Sequence, residues 1–522
     1  MQAERISRRQ LLVGLAVGLA SIGLTSACTT PDSPATTQTP TRNGTSALIE
    51  MNKGSTLVIG QTASIPSTDP FPTGPALNTF RWAMFNPLVT LDKNLQPVPC
   101  LAESWTLSDD RQQFTFKLRQ GVTFHSGRPL TADAVRWSIE HAQDPKNQSA
   151  VGGELSGVQA RAADNSTLEL TLPDPSFPQI FSLLANVLIA DPQSDIAQSA
   201  AGTGAFKLDA LDPGNSLRLV RNPNYWRRNR PFLDEVTFNT FRDPQAAVAA
   251  LEAGTASITP CPASDFQRLK DGTATTAIDL RASGSFEFLI SAVDEPFTDK
   301  RVRQAINVAL DRKRFAETLL YGLTDPTYIL WMRGSPAWDA SIDVGEFNLD
   351  KAHQLLVDAG YGSGFETKIQ TNGAYPELTR FAEVVQADLS KIGVKLTIEP
   401  MEAVQANAAV TQGRFSALMT HIFGYGDQDP ALQFTAFVFR PSGNASRFQS
   451  DQYSQLVDTA RREPDRARRV ALYRQIAVFL QDAAFELPIA NAISPYGVRS
   501  NVHGFTRQPA AGAPIVEDIW LS

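Results

Sequence analysis

Residues that could carry out acid–base or metal chemistry occur in this sequence, but their spacing matches no familiar catalytic arrangement. Five histidines are scattered along the chain, and no two stand at the spacing of a metal-binding pair: His125, His141, His353, His421 and His503. The sequence contains no Gly-x-Ser-x-Gly elbow, His-Glu-x-x-His motif, Walker loop or Cys-x-x-Cys pair. This pattern favours a protein that is not an enzyme and holds no metal or cofactor. An exported enzyme with an unfamiliar site stays open.

Two local clusters have more than one interpretation. Asp427 and Asp429 are separated by one residue, and they could act as a general acid and base, bind a cation or an amine, or form a solvated loop. Gly202 and Gly204 flank Thr203, but the glycine or lysine that a phosphate cradle needs does not follow. We therefore expect these two glycines to permit a tight turn into a strand at 205–208.

The first 28 residues have the composition of an export signal. Arg8 and Arg9 precede an apolar stretch that ends at Leu24, and small residues then lead to Cys28. This stretch of about fourteen residues is too short to span a hydrocarbon core of about 30 Å. The segment resembles a twin-arginine lipoprotein signal, which implies that Cys28 becomes the lipidated N-terminus. A plain secretory signal cut at Ala27 is the alternative.

Residues 29–53 predict a flexible linker, because they are mostly Thr, Ser, Pro, Asn and Gln and offer little apolar surface to bury. A lipidated Cys28 followed by such a linker would tether a folded body to a membrane surface. We therefore expect a lipid-anchored protein at the outer face of the cytoplasmic membrane or in the periplasm.

The body of the chain has the composition of a soluble globular protein, with 42% hydrophobic and 19% charged residues. About 470 residues are too many for one core, so two or three domains are expected. The net charge of −7 argues against a nucleic-acid partner, because such proteins carry basic patches. Cys100 and Cys261 could form a disulfide or could be two small buried residues, and the sequence leaves both open.

Helix and strand patterns alternate along the body and predict an α/β fold. Residues 114–118 alternate as a strand, and Thr131 is a plausible N-cap for the helix that follows. The residues from 304 to 314 have helical spacing. A further helical pattern ends at Gly393, and 394–398 then reads as a strand. A helix, a glycine and a strand in succession indicate an α/β unit.

Several longer strings resemble one family, the extracytoplasmic solute-binding proteins of peptide and nickel ABC importers, often called family 5. They occur in the family's order and cover nearly everything from residue 55 to 510: TDP at 68–70, AESW at 102–105, FTFKLRQGVTFHSGRPLTAD at 114–133, GTGAF at 202–206, RNPNYW at 221–226, LEAG at 251–254, PFTDKRVRQAI at 296–306, LLVDAGY at 355–361 and DP at 429–430.

The resemblance implies a mixed α/β, two-lobed clamp of the type II periplasmic-binding-protein class, with an extra domain inserted in lobe I. Lobe I would comprise 54–104, 201–287 and 490–522, the inserted domain 105–200, and lobe II 288–489. Two chain crossings, near 285–290 and 485–492, would form the hinge on which the lobes close around a ligand.

In peptide-binding members of the family the ligand lies extended between two strand segments, and an acid of lobe II meets its α-amino group. Carried over, the ligand-binding residues are Phe71, Thr73, Gly74 and Ala76 in lobe I, Gly424, Tyr425, Gly426 and Asp427 in lobe II, and Asn491 near the last crossing. The spacing to Pro430 is one residue shorter than usual, so Asp429 could replace Asp427 as the acid. Pro72 and Pro75 reduce the donors available for main-chain pairing.

The function implied is capture of a small solute, foremost a peptide, for delivery to ABC permease and ATPase subunits. A nickel chelate, a sugar, an opine or another non-peptide solute stays open, as does a surface lipoprotein without a transport role. We expect a monomer that binds no nucleic acid and needs no cofactor.

Overall fold

The structure is a computed structural model that describes residues 55–72, 77–149, 151–175, 178–280, 284–424, 429–508 and 514–522. The described residues all belong to one compact unit. Cys28 and the predicted linker lie outside the described residues. No helix in the described part of the chain combines the length and the apolar composition that crossing a bilayer requires.

The described strands follow in chain order: β1 Thr56–Gln61, β2 Asn86–Pro87, β3 Val89–Leu91, β4 Pro97–Pro99, β5 Ala102–Leu107, β6 Gln113–Leu118, β7 Gln159–Asp164, β8 Thr167–Thr171, β9 Leu188–Ile189, β10 Phe206–Asp212, β11 Ser216–Arg221, β12 Glu235–Thr240, β13 Ile258–Pro260, β14 Thr275–Asp279, β15 Ser285–Ile290, β16 Phe365–Asn372, β17 Val394–Met401, β18 Leu418–Phe423, β19 Glu486–Asn491, β20 Pro495–Arg499, β21 Val502–His503, β22 Thr506–Arg507, β23 Pro514–Ile515 and β24 Trp520–Leu521.

The described α-helices follow in the same way: α1 Leu77–Met84, α2 Ala132–Gln143, α3 Ile180–Leu184, α4 Ile196–Ser199, α5 Pro244–Glu252, α6 Ala263–Lys270, α7 Lys300–Ala309, α8 Arg312–Leu319, α9 Leu349–Asp358, α10 Pro376–Leu389, α11 Ala403–Thr411, α12 Asp451–Arg462 and α13 Arg466–Ala483. Short 3₁₀ turns cover Pro145–Asn147, Ser390–Ile392 and Pro430–Phe434.

Lobe I is built on a seven-stranded sheet of the order β10-β11-β12-β1-β13-β20-β14. Strand β1 runs parallel to β12 and β13, and β20 returns from the far end of the chain to pair antiparallel with β13 and β14. Leu57, Ile59, Val236 and Phe238 are fully or almost fully buried in its core. Residues near both ends of the chain therefore share one sheet.

A separate four-stranded antiparallel sheet of the order β5-β6-β8-β7 precedes most of the lobe I strands in sequence. Strand β6 confirms the alternation predicted at 114–118. The predicted cap of α2 is also confirmed, because the Thr131 side chain accepts a hydrogen bond from the Ala134 N–H at 3.3 Å. This sheet begins at Ala102 with β5, three residues before the segment predicted as an inserted domain.

Lobe II is built on a five-stranded sheet of the order β17-β16-β18-β15-β19. Strands β16, β17 and β18 are parallel, whereas β15 pairs antiparallel with β18 and β19. Helix α10 packs in the same core as Phe288, and α11 packs in the same core as Leu289. Because neighbouring strand residues point to opposite faces, α10 and α11 cover opposite faces of this sheet.

The two connections between the lobes lie a few residues away from the predicted hinge segments, before β15 and after β19. Residues 285–290 and 485–491 are mostly paired strands, β15 and β19, inside the lobe II sheet. The chain instead passes between the sheets after Asp279 and after Asn491. The two passages are held together, because Ser494 donates its N–H to the Asp279 carboxylate at 2.8 Å and Leu280 donates to the Ser494 carbonyl at 3.0 Å.

Gly202 and Gly204 serve close packing rather than a left-handed turn. A Cβ at Gly202 would lie 2.0 Å from the Met84 carbonyl oxygen, and one at Gly204 would lie 2.4 Å from the Met84 carbonyl carbon. Neither glycine has a positive φ. The role predicted for these glycines, a tight turn, is therefore wrong. Glycine is needed at both positions because the backbone at the end of α1 leaves no room for a side chain.

Cys100 and Cys261 are two free buried thiols in the structure, so the disulfide alternative is not formed. Cys261 packs with Val248, Leu251 and Phe266 in a small cluster. Cys100 precedes β5, and its carbonyl oxygen accepts a hydrogen bond from the Arg119 guanidinium. Burial raises the pKa of both thiols, to about 11 for Cys100 and about 12 for Cys261. Both residues thus act as small buried side chains, and they lie in different parts of the protein.

Candidate functional site

The start of the predicted lobe I ligand segment is anchored in the protein core. Phe71 is only 4% exposed and packs against Trp137 and His141, with ring centroids 6.1 and 4.6 Å away. Its N–H already donates to the Asp69 carboxylate at 2.9 Å. The side chain and the amide of Phe71 are therefore both engaged inside the protein. Thr73, Gly74 and Ala76 lie outside the described residues.

The predicted lobe II segment continues directly from β18. This strand lies between β16 and β15, and Gly424 follows its last residue with a positive φ of 149°. Tyr425, Gly426 and Asp427 lie outside the described residues.

Asp429 has a structural role at the start of the Pro430–Phe434 turn. Its carboxylate accepts from the Ala431 N–H at 2.9 Å and from the Tyr473 hydroxyl at 3.5 Å. Its own N–H donates to Ser182 Oγ at 2.9 Å, which links lobe II to helix α3. Burial raises the pKa of the Asp429 carboxyl, although the residue as a whole is half-buried. These contacts already use the carboxylate that could have replaced Asp427.

Asn491 lines a small cavity beside the hinge. The cavity has a volume of about 80 Å³, and Asp279, Asp325, Arg333 and Ala492 also line it. Asn491 Oδ1 is buried and has no hydrogen-bond partner among the described residues. The predicted ligand residue therefore faces a polar space between the lobes that is large enough for a few water molecules.

A larger groove crosses from the four-stranded sheet to the turn between α12 and α13. Its volume is about 440 Å³, and its walls include Trp105, Phe114 and Phe181 on one side and Glu463 and Arg469 on the other. The Phe181 ring contacts the rings of Trp105 and Phe114 at centroid distances of 5.3 and 5.2 Å. The Arg469 guanidinium donates to the Glu463 carbonyl at 2.9 Å, which holds it at the turn.

A third cavity lies at the carboxyl ends of the parallel strands of lobe II, and sequence reasoning missed it. We call it the strand-end pocket; its volume is about 300 Å³, and it is lined by Asn372, Tyr375, Glu377, Leu378, Ala406, Asn407, Val410, Met419, His421 and Ile422. The chain crosses from β16 to β17 by α10 and from β17 back to β18 by α11. These crossings place β17 and β18 on opposite sides of β16. Such a reversal opens a crevice at the strand ends, where ligands of α/β proteins bind.

The imidazole of His421 is uncharged in this setting. Burial lowers its pKa to about 4, and Nε2 is buried without a partner among the described residues. The ring stacks on Phe423 at 6.1 Å and meets Phe437 edge-on at 6.0 Å. His421 therefore contributes a neutral ring to the pocket wall two residues before the end of β18.

Comparison with characterised proteins identifies relatives with different ligands. Heme-binding protein A of Haemophilus influenzae is 26% identical over 84% of this chain and 86% of its own length. The glutathione-binding protein GsiB of Escherichia coli K12 is 26% identical over 87% of this chain and 93% of its own length. The periplasmic binding protein AgaA of A. tumefaciens R10, solved with agropinic acid, superposes with a TM-score of 0.75. It is 25% identical over 90% of this chain and 99% of its own.

The family match covers two thirds of the chain and includes both the four-stranded sheet and most of lobe II. Residues 96–444 match the bacterial extracellular solute-binding proteins, family 5 Middle. The fold agrees with that match, since AgaA, a solved periplasmic binding protein, superposes over 90% of this chain. The chain belongs to the bacterial extracellular solute-binding proteins of family 5.

Proposed function

We propose that this chain captures a short peptide outside the cytoplasmic membrane and delivers it to the permease of an ABC importer. Proteins of this family bind solutes for ABC transporters, in which permease and ATPase subunits complete the system. Their ligands differ from one relative to the next, as heme, glutathione and agropinic acid show. The ligand of this chain must therefore be argued from its own residues.

The observation that carries the peptide proposal is the continuity of a main-chain segment with a side-chain pocket. Strand β18 supplies His421 and Ile422 to the strand-end pocket. Its last paired residue is Phe423, and Gly424 follows directly. A peptide that binds by strand addition needs both features. Main-chain hydrogen bonds supply affinity, and pockets for alternate side chains supply preference. Glutathione, the ligand named for one relative, is itself a tripeptide.

In this proposal Asp427 binds the α-amino group of the peptide. The Asp429 carboxylate already accepts from the Ala431 N–H and the Tyr473 hydroxyl. We therefore assign the ligand's amino group to Asp427, the acid that the family resemblance indicates. A carboxylate and an ammonium group form a charge-assisted hydrogen bond once the closing lobes exclude water. Closure is stabilised by the ligand only through contacts with both lobes.

We further propose that the protein is held at the membrane by lipid on Cys28. The support is the sequence alone, with its paired arginines, short apolar stretch, terminal cysteine and linker. The family is extracellular, which agrees with an export signal at this position. A lipidated N-terminus keeps a binding protein near its permease.

The experiment that tests peptide binding has two steps. Denaturing mass spectrometry of freshly purified protein identifies any compound that co-purifies. Calorimetry and thermal shift then compare a tripeptide library with heme, nickel–histidine and agropinic acid, using the same protein preparation. Peptides are expected to bind and to raise Tm without being consumed. Binding of a non-peptide solute with no response to any peptide would overturn the proposal.

A further inference from the structure

The strand-end pocket has an interior of apolar side chains on three elements. Helix α10 contributes Leu378, helix α11 contributes Ala406 and Val410, and strand β18 contributes Met419 and Ile422. All except Ile422 are at most 4% exposed, so their positions are fixed by the lobe II core. A group that enters this pocket is desolvated against fixed apolar walls, which favours apolar surface.

The polar groups of the pocket are uncharged or lie at its mouth. Asn372 ends β16, and its Oδ1 accepts from the Ala374 N–H at 3.1 Å. Asn407 and Tyr375 are exposed at the rim, and His421 is neutral. Among the described residues that line the pocket, none is Lys or Arg. A carboxylate in the pocket would therefore lose its hydration without meeting a cation.

Glu377 places a negative charge at the mouth of the pocket and disfavours an acidic ligand group there. It stands in the first turn of α10, where the aligned N–H groups would otherwise favour an anion. Its carboxylate already supplies that negative charge and would repel a second one. A lysine or arginine side chain could not bury its charge among Leu378, Val410 and Met419, and its charge would have to stay at the mouth beside Glu377.

The volume sets the size of the occupant. About 300 Å³ is at the lower end of the range for small-molecule sites. The pocket therefore suits one side chain or one ring of a ligand whose remainder lies along Gly424 and the facing lobe. A large planar macrocycle would not fit in this space alone.

We propose that the strand-end pocket receives one uncharged apolar side chain of the bound peptide, of the size of leucine or phenylalanine, and disfavours an acidic side chain there. This inference rests on the proposed peptide-binding function and gives it a specificity. The residues that decide the preference are those of α11 and β18, whose side chains form the interior of the pocket.

The test is calorimetry on tripeptides in which each position in turn carries Leu, Phe, Ala, Glu or Lys. At one position, Leu and Phe peptides are expected to bind wild type at least about tenfold more tightly than the Glu peptide, because burying one such apolar side chain supplies this much. Equal affinity for apolar and charged side chains at every position would overturn the pocket assignment. If no tripeptide binds at all, the proposed function itself fails.

Variants on α11 make the test specific to the pocket. Asn407→Lys places an ammonium group at the rim, on an exposed residue that the fold tolerates. It should strengthen binding of the Glu peptide at the selective position and weaken that of the Lys peptide, each about threefold to tenfold. The matched control is Val404→Lys, because Val404 is on the same helix, is 82% exposed and does not line the pocket. Identical behaviour of the two variants would overturn the proposal.

Ala406→Leu tests the interior without a charge. Ala406 is 1% exposed, and a larger side chain there occupies pocket volume. The variant should lower affinity for Leu and Phe peptides by about tenfold and leave the Ala peptide nearly unchanged. Thermal unfolding of the ligand-free variant shows separately whether it folds. A folded variant that binds all peptides like wild type would place the apolar side chain elsewhere.

Discussion

Glu287 and Glu486 lie on the neighbouring strands β15 and β19, and their two carboxyl groups are buried together inside lobe II. Ser285 Oγ donates to Glu287 Oε1 at 2.8 Å, whereas neither oxygen of Glu486 has a hydrogen-bond partner of standard geometry among the described residues. Burial raises the pKa of Glu287 to about 7. Burial and the charge of Glu287 raise the pKa of Glu486 well above its ordinary value. At neutral pH the pair therefore carries at least one proton, because two buried carboxylates in contact cannot both ionise.

This pair predicts a pH dependence of stability. A raised folded-state pKa means that the folded protein binds protons more tightly than the unfolded chain. The resulting stability is fully present below the unfolded pKa of about 4.5 and is lost as pH rises through about 7. Glu287→Gln removes the group that titrates near pH 7, so this variant should be more stable than wild type at pH 8 by about 1–3 kcal/mol, and its pH profile should be flatter.

Urea unfolding at pH 5, 7 and 8 checks this expectation. The matched control is Glu366→Gln, because Glu366 is in the same lobe and its side chain is 79% exposed. The control should follow the wild-type profile. Parallel profiles for wild type and Glu287→Gln would show that the buried pair does not control the pH dependence.

The proposed contact between Asp427 and the α-amino group of the peptide can be tested by substitution. Removing one member of a buried charged pair costs about 3–5 kcal/mol, so Asp427→Asn should weaken peptide binding by about two to three orders of magnitude. Acetylating the peptide N-terminus should cost wild type a similar amount and cost the variant little. Calorimetry on the two proteins and two peptides measures the coupling. If acetylation costs the same in both proteins, Asp427 and the amino group are not partners.

Asp429→Asn is the informative companion to that experiment. Asp429 caps the Pro430–Phe434 turn and receives the Tyr473 hydroxyl. Asn keeps an oxygen acceptor for the Ala431 N–H, so the unfolding free energy should change by at most about 0.5 kcal/mol while the response to peptide acetylation stays as in wild type. Chemical denaturation measures the first effect and calorimetry the second. Loss of the acetylation response in Asp429→Asn would transfer the ligand role to Asp429.

Lipid anchoring can be tested at Cys28. Cys28→Ala removes the thiol that would carry the lipid. The variant should therefore move from the membrane fraction to the soluble fraction. Fractionation with immunoblotting, together with mass spectrometry of the mature N-terminus, provides the measurement. Equal sedimentation of wild type and variant with membranes would contradict the lipoprotein assignment.

The export route can be tested at Arg8 and Arg9. A twin-arginine signal requires both guanidinium groups, so replacing both residues by Lys should block export almost completely while preserving the positive charge. Arg5→Lys is the matched control and should leave export unchanged. Precursor and mature forms are separated by gel after pulse labelling. Normal maturation of the double variant would indicate the general secretory route.

The close approach at Gly202 makes a prediction about stability. A Cβ at this position would lie 2.0 Å from a backbone oxygen, which cannot move without disturbing α1. Gly202→Ala should therefore lower the unfolding free energy by about 2–4 kcal/mol. Gly153→Ala is the control, because its Cβ would meet nothing within 4 Å, and it should change stability by at most about 0.5 kcal/mol. Similar stability of the two variants would show that the α1 contact yields easily.

Local features of the structure follow from the sequence because short-range physics determines them. The Thr131 cap, the alternation in β6 and the Gly393 stop before β17 each depend on a few adjacent residues. The single helix expected from 304 to 314 is wrong in one respect. Asp311 caps a new helix, α8, and its N–H donates to Asp388 at 3.0 Å, so α7 ends at Ala309. The cap itself is local, from the Asp311 carboxylate to the Arg314 N–H, and the contact with Asp388 joins this break to α10.

The sequence by itself determined the family and the α/β class, since nine ordered strings and the helix–strand alternation are visible without a structure. Tertiary structure decided where the lobes connect, which aspartate caps the turn, and that Asn372, Val410 and His421 line one pocket. The physical reason is strand order: β16 lies between β17 and β18 only after α10 and α11 have packed on opposite faces. Periodicity within one segment contains no information about its neighbours, so long-range packing had to bring these residues together.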